Sequence, residues 1–161
     1  MDPGLATTGY GALEYERPSQ SPAALSWGTV ETASSTDFPI RLRQLHEATL
    51  ELVEKFSPDI AAVEKLYFSK NVKTAIKVGQ ARGVIMLAVA CSNIRVVEYS
   101  PLKIKKTITG SGKADKKAMQ KMLKDELGLG KPPQPADSAD ALAVAYCHQV
   151  IDRFESKIPE N

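Results

Sequence analysis

Cysteine, histidine and tryptophan are all scarce, with two Cys, two His and one Trp in 161 residues. Cys91 and Cys147 stand in apolar helical text without CxxC or any other metal-ligand spacing. That excludes a zinc site built on cysteine, and the two read as small core residues of a cytoplasmic protein. His46 and His148 are isolated on helical segments and read as structural or surface side chains. No apolar run is expected to span a membrane, and Met1 is followed at once by Asp2, so neither a signal peptide nor a membrane partner is expected. A strong net charge is missing too, since 21 Lys and Arg oppose 19 Asp and Glu. Repeats and low-complexity segments are absent. What remains is ordinary: 43% hydrophobic and 25% charged residues, at a length that suits one domain with a sizeable core. That domain is expected over residues 1–155, with a disordered tail at 156–161.

The charge is unevenly placed. Between Pro101 and Lys121 seven lysines (Lys103, Lys105, Lys106, Lys113, Lys116, Lys117, Lys121) meet one acid, Asp115. Such a run is either a solvated face or the footprint of a polyanion. TGYGALEYE (8–16) and ALSWGTVETA (24–33) read as two strands joined by a polar turn. SSTDFP announces a helix that runs through residue 57, with Leu42, Leu45, Thr49, Leu52, Val53 and Phe56 at helical spacing. DIAAVE is a short buried strand ending on Glu64. A second long helix spans 71–91, and NIRVVEY (93–99) is a further strand. Helices near 101–108 and 115–127 follow, and KPPQP leads into a last helix at about 137–155. Strands first, then helix and strand alternating, give an α/β domain with a mixed central sheet flanked by helices.

The stretch PADSADALAVAY (135–146) places Asp137 and Asp140 three positions apart, roughly 60° apart around a helix and one turn separated. The stripe they head continues through Val144, Cys147 and Ile151 as the buried side. Asp137 follows Pro135 closely and is a natural N-cap, whereas Asp140 lies too deep to cap. Glu64 closes a strand, and Asp2 precedes the turn at Pro3-Gly4. Singly, each acid reads as a turn or strand-end residue. Sites in α/β folds gather at the carboxyl ends of strands, however. Four carboxylates without a His or Cys partner suit Mg²⁺ or Mn²⁺, not zinc. Uncompensated clustered acids would repel, and a pair of metal ions serves in-line phosphodiester cleavage.

MDPGLATTGYG, AAVEKLYFSKN, KVGQARG, GSGKADK and PQPADSADALAVA, in that order, closely resemble the RuvC-type Holliday junction resolvases. That family has the ribonuclease H-like fold, and the likeness runs from Asp2 to about His148. It implies that Asp2, Glu64, Asp137 and Asp140 are catalytic metal ligands holding two Mg²⁺ or Mn²⁺ ions. It also implies a homodimer that nicks a four-way DNA junction symmetrically and cooperates with the RuvA–RuvB branch-migration complex. Tyr67 matches the family's aromatic position and is expected to stack on an unpaired base, typically for about 1–3 kcal/mol, while Phe68 reads as core. Lys70, Lys73 and Lys77 share a helix face and, with Lys105 and Lys116, are expected to hold phosphates. Gly79 and Gly83 bare one face of the second helix, for a partner protomer or for this chain's own sheet. Two other readings stay open: a junction-binding protein with impaired chemistry, and a ribonuclease H-like nuclease acting on RNA or hybrids.

One departure stands out. The family has a short apolar strand before D-P-G, whereas Asp2 is the second residue here. The expectation is therefore that the natural protein starts further upstream, and that in the present chain Asp2 is loosely held beside a charged α-amino group.

Overall fold

In the computed structural model, which describes residues 1–16, 20–66 and 72–156 (with side chains from residue 74 in the last span), a hairpin and a parallel pair share one mixed sheet. β1 (Thr7–Glu14) and β2 (Ala23–Glu31) pair antiparallel from Thr7↔Glu31 to Glu14↔Ala23, with a bulge between Ala12 and Leu13. β3 (Ile60–Glu64) and β4 (Arg95–Tyr99) pair in parallel from Ile60↔Arg95 to Glu64↔Tyr99. The first two residues join the pairs. Asp2 and Gly9 exchange both backbone hydrogen bonds at 3.0 Å, an antiparallel bridge to β1. On the other side the Met1 ammonium donates to the Ala62 carbonyl at 2.5 Å and the Glu64 N–H donates to the Met1 carbonyl at 3.0 Å, the pattern of a parallel ladder. The sheet order is thus β2–β1–(Met1–Asp2)–β3–β4.

Helices cover both faces. α1 (Phe38–Phe56) starts with a proline in its first turn and stops at Ser57, which takes a left-handed conformation at φ 41°. It packs with α2 (Val72–Cys91) on one side of the sheet, around Leu5, Leu45, Ala81 and Ile85. Full burial of a side chain such as Leu45 or Ile85 contributes about 1.5–3 kcal/mol. The other side holds α3 (Pro101–Thr109), α4 (Lys116–Glu126) and α5 (Ala136–Glu155), with Ile104, Ile108, Met119, Leu123, Leu142 and Cys147 among the core residues. The lysines fall on the outer sides of α3 and α4 because the apolar residues recur at i and i+4. Ser100 and Asp115 cap those helices, accepting from the N–H groups of Lys103 and Ala118.

Three expectations need correction. Cys147 is buried but Cys91 is exposed, at the end of α2 where the apolar pattern has run past the core. Asp137 is not an N-cap. Pro135 occupies that position without a side-chain hydrogen bond, and Asp137 sits inside the first turn. Finally, Thr74–Cys91 of α2 is long and apolar enough, by length and composition, to cross a membrane. Ala81, Ile85, Ala88 and Val89 along it are buried in the core, while Ile76 and Leu87 are more than half exposed.

Beyond Met1 the centre of the sheet opens into a cavity of about 490 Å³ between β1 and β3, roofed by Leu52 and Val53 of α1 and floored by Ala145 and His148 of α5. His148 shares a hydrogen bond at Nδ1 with the Tyr99 hydroxyl at 2.8 Å, and its Nε2 is buried without a partner among the described residues.

Candidate metal centre

Two glycines in β1 decide where the acids of α5 fall. A Cβ on Gly9 would lie 2.0 Å from the Asp137 carbonyl oxygen, and one on Gly11 would lie 2.8 Å from the Leu142 Cα. Only glycine allows this approach, so the start of α5 rests directly on the strand beside Asp2. Asp2 itself is fixed by its backbone bridge to Gly9. The turn after it is closed by the buried Thr8, whose hydroxyl donates to the Gly4 carbonyl at 2.6 Å. This corrects the picture of a loosely held chain end.

The result is convergence. Carboxylate oxygens of Asp2, Asp137 and Asp140 lie within 4.8 Å of one another, all three residues half-buried. Glu64, delivered by the end of β3, joins this group through a side-chain hydrogen bond to Asp2. Burial pushes the Glu64 carboxyl up to about 8, and the neighbouring charge of Asp2 and their shared hydrogen bond add to the rise. Burial raises Asp2 as well, with Asp140 and Asp137 contributing. The pair therefore retains a proton where isolated carboxylates would have lost it. Desolvation also pulls the Met1 α-amino group down to about 6, against the pull of Asp2 and Glu64, so it carries little charge at neutral pH. That removes the expected positive charge beside the site.

Lys116, at the start of α4, places its Nζ 2.6 Å from Asp140 Oδ2. Hydrogen bonding to Asp140 raises its pKa, outweighing desolvation. An oxygen-only donor set that resists holding its full negative charge fits a hard divalent cation.

Of the other expected site residues, Lys77 is exposed on α2 with its Nζ 5.9 Å from the Phe38 ring centroid, and Lys105 lies half-buried on α3. Tyr67, Phe68 and Lys70, and the side chain of Lys73, lie outside the described residues. Among the described residues nothing lies within 4 Å of a Cβ added to Gly79 or Gly83, so the chain's own sheet does not pack against them. Residues that motif reading passed over include Gly9, Gly11 and Arg82. Glycines alternating within a strand are themselves a signal of close backbone approach. Arg82 donates from Nε to the Glu64 carbonyl at 3.3 Å and pairs with Glu98, which ties α2 to the ends of β3 and β4.

Mixed sheet, helical layers and an acid cluster at the end of the central strand together define the ribonuclease H-like nucleases. Within that class the chain belongs to the RuvC family: the family model described as crossover junction endodeoxyribonuclease RuvC matches residues 1–148. A crossover junction endodeoxyribonuclease from Caldicellulosiruptor saccharolyticus is 47% identical over 92% of this chain and 89% of its own length. The RuvC structure from Thermus thermophilus superposes with a TM-score of 0.85 at 31% identity, covering 96% of this chain and 93% of that one. The same protein in complex with Holliday junction substrate matches with a TM-score of 0.86 at 29% identity, over 95% and 92% of the two chains. Nucleases of this family are metal-dependent, in keeping with the acidic cluster.

Proposed function

We propose that this endodeoxyribonuclease resolves four-way DNA junctions by paired symmetric nicks, with Asp2, Glu64, Asp137 and Asp140 as the ligands of two Mg²⁺ or Mn²⁺ ions. The observation that carries the reading is the convergence of these half-buried carboxylates, with Asp2 and Glu64 pushed upward in pKa, in a chain of the RuvC family. Bound at such a donor set, divalent ions supply an activated water and offset charge on the leaving oxygen. Asp2 and Glu64 give up their retained proton when cations arrive, because the charge that burial disfavours is then compensated. Lys116 is held by Asp140 in the free protein. With Asp140 holding a cation, the ammonium would be free to pair with a phosphate of the DNA strand.

Symmetric nicking needs two sites, and the exposed α2 stripe of Ile76, Gly79, Gly83 and Leu87 offers the surface for a homodimer. Tyr67, Lys70, Lys73, Lys77 and Lys105 would extend the DNA contact from each acid centre. In the cell this activity would act in the cytoplasm on recombination intermediates, downstream of the RuvA–RuvB complex.

An impaired junction-binding protein was the alternative while Asp2 counted as a loose chain end, and its two backbone bonds to Gly9 speak against that. A gel comparing a mobile four-way junction, a linear duplex and an RNA–DNA hybrid, with and without Mg²⁺ or Mn²⁺, tests the reading. Metal-dependent nicking confined to the junction is expected. Preferential cutting of the hybrid would shift the assignment to RNA, and binding without cutting in either metal would leave only recognition.

A further inference from the structure

A second cleft adjoins the acid cluster at Asp137. Its volume is about 550 Å³, and it lies between the Gly4–Thr7 turn, the start of α1 and the first half of α2, with Asp137 at its inner edge. Its charge is opposite to that of its neighbour. Arg41 and Lys77 line it, and no carboxylate among the described residues lies within ion-pair distance of either.

Arg41 is held in place. Its Nε donates to the Thr32 hydroxyl at 3.0 Å and its Nη2 to the Thr32 carbonyl at 3.3 Å. Thr32 is buried, and its hydroxyl donates in turn to the Leu5 carbonyl at 2.5 Å, inside the turn that follows Asp2. One edge of the guanidinium is thus anchored to the loop that carries the metal centre. A guanidinium has five N–H donors, so those not used by Thr32 remain for a ligand. Their planar fork matches two oxygens of a phosphate. Lys77 stands over Phe38 as a more mobile point charge on the opposite wall.

We infer that this cleft is a subsite for a non-bridging phosphate of the DNA strand, one that flanks the phosphate being cut. The inference rests on the nuclease reading above. A strand lying across the acids then has cations on both sides, Arg41 and Lys77 toward α1 and α2 and Lys116 toward α4. Arg41 is a binding residue in this scheme, acting on strand register and not on the reacting atoms. Register is what the centre needs, because misplacement of the scissile phosphate by about 1 Å is enough to lose on the order of 10²-fold in rate.

The test pairs protein variants with junctions carrying a single neutral methylphosphonate at successive positions around the cut. With the wild-type protein, one flanking position should lower kcat/KM about tenfold or more, as expected for losing a charge-assisted hydrogen bond. Lys77→Gln and Arg41→Gln should each raise KM more than they lower kcat, and should be largely indifferent to the methylphosphonate at that position alone. Lys77→Gln guards against a fold defect, because among the described residues its ammonium contacts only the Phe38 ring, at 5.9 Å from the centroid. Arg41→Lys should recover part of the loss, since it keeps the charge but not the fork. Purely additive effects at every position, in both variants, would overturn the subsite while leaving the nuclease reading intact. A wild-type protein that cuts no junction at all would overturn both.

Discussion

At the scale of single residues, the acid centre is electrostatically unfavourable without cations, and this has a measurable pH signature. Glu64 titrates near 8 in the folded chain against an ordinary value of 4.5. The native state therefore keeps a proton that the unfolded state gives up, and this group makes stability fall as pH rises from about 4.5 through about 8. The Met1 amine has the opposite sign, because its pKa is lowered from 8.0 to about 6 and stability recovers as pH rises through that window. Comparison with Glu64→Gln isolates the carboxyl. In metal-free buffer the variant should melt progressively higher than wild type as pH goes from 5 to 8, reaching a few °C. Parallel melting curves would refute the origin of the shift. Lys116 gives a second prediction. Lys116→Ala should weaken junction binding and reduce the slope of log affinity against log salt by about one ion, whereas an unchanged slope would return the residue to a solvated face. The approach of Asp2, Asp137 and Asp140 was legible from residue types and motif context, and the ligand role of the four acids stays with the proposal. The cap role expected of Asp137 was not borne out, because sequence alone does not tell which of Pro135, Ala136 and Asp137 starts the helix.

At the scale of elements, glycines of the same chain play opposite parts. Gly9 lets α5 touch β1, whereas Gly83 faces open space. Gly9→Ala should lower Tm and weaken Mg²⁺ binding together, because overpacking typically costs 1–3 kcal/mol and here displaces Asp137 and Asp140. Gly83→Ala should instead raise the stability of the single protomer by about 0.5–1 kcal/mol, while driving the dimer toward monomer in sedimentation. A stabilised and still dimeric Gly83→Ala protein would show that the α2 face is not the contact. Strand and helix positions were readable to within a residue or two, since period and turn chemistry are local. The join between β1 and β3 was not, because two residues are too few to show a period. Their role came from hydrogen bonds on both sides. A cavity of about 490 Å³ between β1 and β3 adjoins this join at Met1. Adding about five alternating apolar residues to Met1, the length of an ordinary strand, should raise Tm and speed metal-dependent cleavage, while a proline-containing extension should do neither. Equal melting of all three chains would mean that the cavity takes no strand.

For the whole molecule, the cleft of Arg41 and Lys77 meets the acid group at Asp137, and Lys116 meets it at Asp140. The lysine run of residues 101–121 left two readings open, a solvated face or a polyanion footprint. Folding distinguishes its members, since Lys116 reaches Asp140 while others only surround the apolar sides of α3 and α4. Arg41 had no sequence signal, because its partners Thr32 and Leu5 come together only when the turn after Asp2 meets α1. Junction cleavage is proposed to run through divalent cations held by the carboxylate group around Asp2, Asp137 and Asp140. Its most direct test measures cleavage and binding of one four-way junction by wild type and Asp140→Asn, each with and without Mg²⁺. Paired nicks by wild type only with metal are expected, with tight binding by Asp140→Asn and cleavage reduced by several orders of magnitude. Near wild-type nicking by Asp140→Asn would contradict it.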